Sequence, residues 1–198
     1  MNIHKRTNLI FLAIGIISQV CFAEERIIDT SYGDYDSEII VSYKHYKDEI
    51  EEGNFLKVED NYYTWYVPKE SLPYIQRACK KYKEWLKIVN DNELSDFKKI
   101  IPYDDENQEL TNGAYLECTT PYDYLKNAHL LFNFFCNEDG CCYLVMNFHM
   151  YYSDGPNNEV IIINEDSIDD FENTFSEDFY NKEKEVIEKK YKIIEELN

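Results

Sequence analysis

Residues 128–164, "AHLLFNFFCNEDGCCYLVMNFHMYYSDGPNNEVIIIN", hold three runs of aromatic and aliphatic residues separated by "NEDG" and "DGPNN". Runs of this kind bounded by Gly, Pro, Asn and Asp predict strands joined by short turns, here a three-stranded antiparallel meander. Successive side chains on a strand point to opposite faces of the sheet. With a loop of two or four residues at "NEDG", odd-numbered residues of the first strand share a face with even-numbered residues of the second. Leu131, Phe135, Cys142, Leu144, Met146, Phe148 and Met150 then form an almost wholly apolar face, expected to point to the core. Phe132, Phe134, Cys136, Cys141, Tyr143, Val145, Asn147, His149 and Tyr151 form the other.

Upstream, "SEIIVSYKHY" alternates Ile39, Val41 and Tyr43 against Ser42, Lys44 and Tyr46, the two-residue period of a half-buried strand. "FLKVED" and "YYTWYV" flank Asp60-Asn61 and predict a hairpin. A helix is expected to start at Ser71 and run through "LPYIQRACKKYKEWLKIVN", because Leu72, Ile75, Cys79, Tyr82, Leu86 and Val89 recur at three- and four-residue steps. "ELSDFKKII" reads as a following short helix and "GAYLECTT" as a short strand. Two helices close the chain, with Ile168, Phe171 and Phe175 on the apolar side of the first and Ile187, Tyr191 and Ile194 on that of the second. Together these pieces predict an α+β domain over 37–198: an antiparallel sheet, built of a hairpin and a three-stranded meander, covered by a central helix and C-terminal helices. Residues 24–36, polar and carrying Gly33, are expected to form a flexible acidic segment ahead of it. "KYKEW" at 81–85 followed by "FKKIIP" and a meander resembles a pattern found in small uncharacterised bacterial proteins. The resemblance covers about half the chain, consists of packing motifs and implies no activity.

Residues 1–23 have the layout of a secretory signal peptide: Lys5 and Arg6, an apolar run from Leu9 to Ile17, then "CFA" before two glutamates. Cleavage is expected after Ala23. The apolar run meets Ser18 and Gln19 too early to span a bilayer, which takes about 20 apolar residues. A periplasmic or secreted location follows, and the lack of any Asn-x-Ser/Thr acceptor favours a bacterial one. The 198-residue chain has 20 basic and 39 acidic residues. Residues 1–23 carry two basic and no acidic ones, so the mature balance is 18 against 39, a net charge of −21. Such a charge repels phosphate backbones and anionic lipid, which argues against nucleic-acid and membrane partners and for a basic protein partner. The locally positive segment is 77–99, with seven basic and four acidic residues.

Five cysteines outlast cleavage, and an oxidising compartment favours disulfides among them. Cys136 to Cys141 across the turn and Cys79 to Cys118 are the expected bridges, with Cys118 to Cys142 as the competing pairing. A metal site at this hairpin is not expected, since Cys141 and Cys142 point to opposite faces and His149 lies too far along the strand. His45, His129 and His149 sit in separate segments without a nucleophile pattern, and "DYDSE" at 34–38 lacks the remaining ligands of a calcium loop. No catalytic residue, metal ligand set or cofactor motif emerges. The aromatic strand "NYYTWYVP", with Tyr62, Tyr63, Trp65 and Tyr66, is the candidate partner-binding face. The expected function is an exported, non-enzymatic protein-binding protein, such as an inhibitor or immunity protein against a basic toxin. The rival readings are a cell-envelope hydrolase acting on glycan and a carbohydrate-binding module.

Overall fold

The computed structural model describes residues 24–32, 35–47, 52–60, 63–102, 111–118, 124–152 and 155–196. The alternation of Ile39, Val41 and Tyr43 builds β2 (Tyr35–Lys47) with all three side chains buried. β2 pairs with β3 (Glu52–Glu59) on one side and with β1 (Arg26–Tyr32) on the other. The strand β1 occupies the stretch expected to be a flexible segment. Its polar sequence hides it, yet Ile28 and Thr30 bury one face and its backbone finds partners along β2.

The hairpin from β3 to β4 (Thr64–Pro68) forms where Asp60-Asn61 places it. The Asp60 carboxylate accepts the Tyr63 N–H at 2.7 Å while its own N–H donates to the Tyr63 carbonyl at 3.1 Å, the side-chain turn for which aspartate is suited. A single turn at Lys69–Ser71 leads into helix α1 (Leu72–Asn92), and the predicted stripe Leu72, Ile75, Cys79, Tyr82 and Val89 is buried. The helix ends at Glu93 in the left-handed region, φ 51°, with the Leu94 N–H on the Val89 carbonyl at 3.1 Å.

Asp96, also left-handed with φ 55°, then turns the chain into β5 (Phe97–Ile101). Here a short helix was expected and a strand stands instead. The Asp96 N–H donates to the Asn137 carbonyl at 3.0 Å, and β5 lies along residues 132–136 of β7. Ladder bonds to an existing strand outweigh a weak local preference for helix.

β6 (Thr111–Cys118), β7 (Tyr124–Cys136), β8 (Cys142–Tyr152) and β9 (Gly155–Ile163) complete what is, among the described residues, a nine-stranded antiparallel sheet ordered β1-β2-β3-β4-β6-β7-β8-β9, with β5 also on β7. The sheet curls strongly. Trp65 of β4 stacks face to face on Phe148 of β8 with ring centroids 4.0 Å apart, although three strand spacings of about 4.8 Å would separate them in a flat sheet. The first and last strands, β1 and β9, come alongside one another.

Inside the curl lies α1, with Tyr74 edge-on to Phe132 and Tyr82 and Trp85 against Phe134. Two helices follow β9: α2 (Ile168–Thr174), which buries Ile168 and Phe171, and α3 (Glu177–Glu196). Phe175 between them is buried too. The apolar stripe of α3 is only partly used, since Ile187 packs on the core while Tyr191 and Ile194 stand exposed. No helix among the described residues is long and apolar enough to cross a membrane.

The meander is present and β8 turns Cys142, Leu144, Met146 and Phe148 to the core as expected, but β7 turns the opposite face from the one expected. Cys136 pairs with Cys142, so the loop is the five residues 137–141 and even-numbered residues of both strands share a face. Leu130, Phe132, Phe134 and Cys136 therefore join Cys142, Leu144, Met146 and Phe148 in the core. An odd loop length inverts the parity that two or four residues would give.

Candidate partner-binding surface

Trp65 and Tyr66 of the aromatic strand are buried and do not form such a surface. Trp65 is 1% exposed and Tyr66 2%. Trp65 rests on Phe148, and Tyr66, on the opposite face of β4, meets Phe55 edge-on at 5.8 Å. Tyr63 is half-buried against the core and tilted onto Trp65, and Tyr62 lies outside the described residues. Rings so covered leave Trp65 and Tyr66 nothing to offer a protein or a sugar.

At the hairpin tip, register sorts the cysteines differently from the expectation. Cys136 and Cys142 are opposed and buried, their sulfurs 2.7 Å apart, while Cys141 is exposed in the loop with its N–H held by the Asn137 carboxamide oxygen at 2.8 Å. The pairing of Cys136 with Cys141 thus gives way to a juxtaposition of Cys136 with Cys142. Burial first, and then the neighbouring Cys136 sulfur, push the Cys142 thiol up to about 12. Cys79 is buried on α1 with its thiol pushed far up by desolvation, and the Cys118 side chain lies outside the described residues. Cys79, Cys136, Cys141 and Cys142 are present as thiols. The same register sets His129 opposite His149, an approach that separate sequence segments did not reveal. No group of three or more metal-ligating side chains occurs among the described residues.

The surface that sequence reasoning passed over is the turn from α2 to α3. Residues 127–181 contain no Lys or Arg, and between 165 and 178 they carry seven carboxylates. The first turn of each helix takes acidic residues readily, because the N-terminal end of the helix dipole is positive. Asp169, Asp170, Glu177 and Asp178 occupy those turns. Gln76 of α1 pins the turn from below, its amide donating to the carbonyls of Glu172 at 2.5 Å and Phe175 at 2.9 Å.

Three of the seven carboxylates are answered. Lys83 reaches both Asp169, at 2.5 Å, and Glu172, and Lys69 reaches Glu177 at 3.3 Å. Burial opposes the charge on Lys83, but its bonds to the two carboxylates outweigh that and raise its pKa. Glu165, Asp166, Asp170 and Asp178 remain as an exposed acidic ridge. Beside Asp170 and Asp178 a cleft of about 700 Å³ opens between β1, α1 and the two helices, lined also by Arg26, Gln76, Asn173 and Lys182 among others. The positive segment expected from the sequence forms a second, shallower groove on α1 with Arg77, Lys80 and Lys83, and Gln76 and Glu172 border both.

The chain begins its described course at this same place. The Glu24 N–H donates to Glu183 Oε2 at 2.6 Å, and Lys182 holds the Glu24 carboxylate at 2.8 Å, which lowers its pKa. Arg26 pairs with the other Glu24 oxygen at 2.8 Å. Comparison with protein-family models, with curated proteins and with solved structures returned no match.

Proposed function

We propose that this protein is exported to the periplasm or beyond and acts without catalysis, by binding a basic protein partner as an inhibitor or immunity protein does. The acidic ridge of Glu165, Asp166, Asp170 and Asp178 carries the reading. It tops a chain with a mature net charge of −21 and lies inside a 55-residue stretch, 127–181, that has no cation of its own. A concentrated like-charged surface accelerates encounter with an oppositely charged partner by roughly tenfold or more and weakens as salt rises. Asp170 and Asp178 both line the cleft, whose own cations Arg26 and Lys182 are engaged by Glu24, and this leaves the two aspartates to meet a partner's basic side chain.

The test is capture of partners from an envelope extract on the immobilised protein at low and high salt, beside a variant carrying Asp166→Asn, Asp170→Asn and Asp178→Asn. The reading expects a basic protein that is held at low salt, released at high salt and missed by the variant. A partner retained equally by both forms would overturn it.

A further inference from the structure

We infer that the buried carboxylate of Glu183 is the seat of a new N-terminal ammonium, created when the leader is removed between Ala23 and Glu24; this rests on the export reading above. Glu183 is 1% exposed, and carboxylates are almost never so buried without a charged or strongly bonded partner. Its Oε2 accepts the backbone N–H of Glu24, the residue that follows the predicted cleavage point. Its Oε1 has Lys182 at 3.6 Å, a lysine that also holds Glu24.

In the uncut chain the Glu24 nitrogen is an amide: neutral, with a single hydrogen. Hydrolysis adds water across the Ala23–Glu24 bond. The leader leaves with a carboxylate, and Glu24 keeps an ammonium with three hydrogens and a positive charge. The seat then holds an ion pair where it held a neutral donor, and charge-assisted hydrogen bonds are about twice as strong as neutral ones. Two independent observations converge on residue 24: the small residues Cys21 and Ala23 of the cleavage pattern, and the clamp of Glu183, Lys182 and Arg26 on Glu24.

Leader removal therefore does more than release the protein, because it strengthens the tie between the start of β1 and α3. The experiment uses the processed protein, which carries every described residue, the same protein with its α-amine selectively acetylated, and both again with Glu183→Gln. Acetylation is expected to weaken folding about tenfold, a fall in Tm of about 3 to 6 °C, and to have no further effect once Glu183 is Gln. An equal shift in both backgrounds, or none in either, overturns the seat. Mass measurement of the protein recovered from its host tests the export reading separately: a first residue other than Glu24 counts against cleavage there, whatever the melting data say.

The hairpin tip carries a second inference on separate grounds. We propose that Cys136 and Cys142 form a cross-strand disulfide in the oxidised protein. The Asn137 N–H donates to the Cys141 carbonyl at 2.9 Å, so 137 and 141 belong to a hydrogen-bonded pair and 136 and 142 to the adjoining non-hydrogen-bonded one. At such a pair the Cα atoms stand about 4.5 Å apart with side chains at their closest, which is within the span a disulfide bridges. Each thiol gives up one proton, the two together give up two electrons, and the sulfur–sulfur bond forms. An incoming disulfide, from an oxidised dithiol oxidoreductase or a small-molecule disulfide, takes those electrons and leaves as two thiols.

Cleavage of the unreduced full chain at Glu138 separates Cys136 from Cys141 and Cys142, and fragmentation of the linked peptides identifies the partner. The expected result is Cys136 joined to Cys142, a bridge that persists in Cys141→Ser and raises Tm by about 5 to 9 °C over the reduced protein. A link from Cys136 to Cys141, or both Cys136 and Cys142 alkylated after oxidative refolding, overturns it.

Discussion

Replacing Tyr82 by Phe removes one oxygen from the core, and the structure sets what that costs. β9 runs only as far as Ile163, which pairs with Leu144, so among the described residues no strand lies against the β9 side of β8 at Cys142. Cys142 belongs to a non-hydrogen-bonded pair with Cys136, so its carbonyl points toward that side. The Tyr82 hydroxyl, delivered by α1, donates to this carbonyl at 2.9 Å in a buried setting. Burial pushes the phenol far up and keeps it a neutral donor across the working pH range. Tyr82→Phe leaves the ring packed on Phe134 and the carbonyl without its donor, a cost of about 1 to 3 kcal/mol for a stranded buried acceptor. Urea unfolding followed by circular dichroism reads this as a lower midpoint at unchanged slope, since the area exposed on unfolding is the same. A variant within about 0.3 kcal/mol of the parent would refute the claim that the side chain completes the end of the sheet.

Three further outcomes follow from named contacts. Trp65→Ala empties a stacked core site and is expected to cost about 3 to 5 kcal/mol, read as a fall in Tm of about 6 to 20 °C; an unchanged melt with lost partner binding would restore the aromatic strand as an interface. Gln76→Ala deprives two carbonyls of their donor, so hydrogen exchange across 172–178 is expected to quicken at least tenfold while β7 and β8 keep their protection. Glu24 has a lowered pKa, owing first to its hydrogen bond from Lys182, so its contribution is present above the ordinary carboxylate range and disappears as pH falls through the folded value. Glu24→Gln is accordingly expected to melt below the parent at about pH 6, with the difference shrinking as pH falls below the ordinary carboxylate range.

Much of the fold is legible in the chain. The helical stripe from Leu72 to Val89, the Asp60 turn and the three runs of the meander are strong local patterns, and local patterns survive assembly. What escapes is what depends on counting or on neighbours. One residue more in the 137–141 loop exchanges the two faces of β7 relative to β8, and with them the partner of Cys136. β5 and β1 are strands because β7 and β2 offer them ladders, and neither advertises a two-residue period of its own.

The aromatic strand misleads for a related reason. Alternation tells that Trp65 and Tyr66 face opposite ways, but only the curl of the sheet brings Phe148 across to cover Trp65. The acidic ridge was readable as composition, from the absence of Lys and Arg over 127–181. Its placement beside a cleft needed α2 and α3 to meet α1 through Gln76.

Charge-driven binding of a basic protein by the ridge is tested by the rate of association with the captured partner as ionic strength rises to about 1 M, where the screening length falls to about 3 Å. The expected rate drops by roughly tenfold or more across that range, and a ridge-neutralised variant starts slow and changes little. Equal rates and equal salt dependence for parent and variant would contradict it.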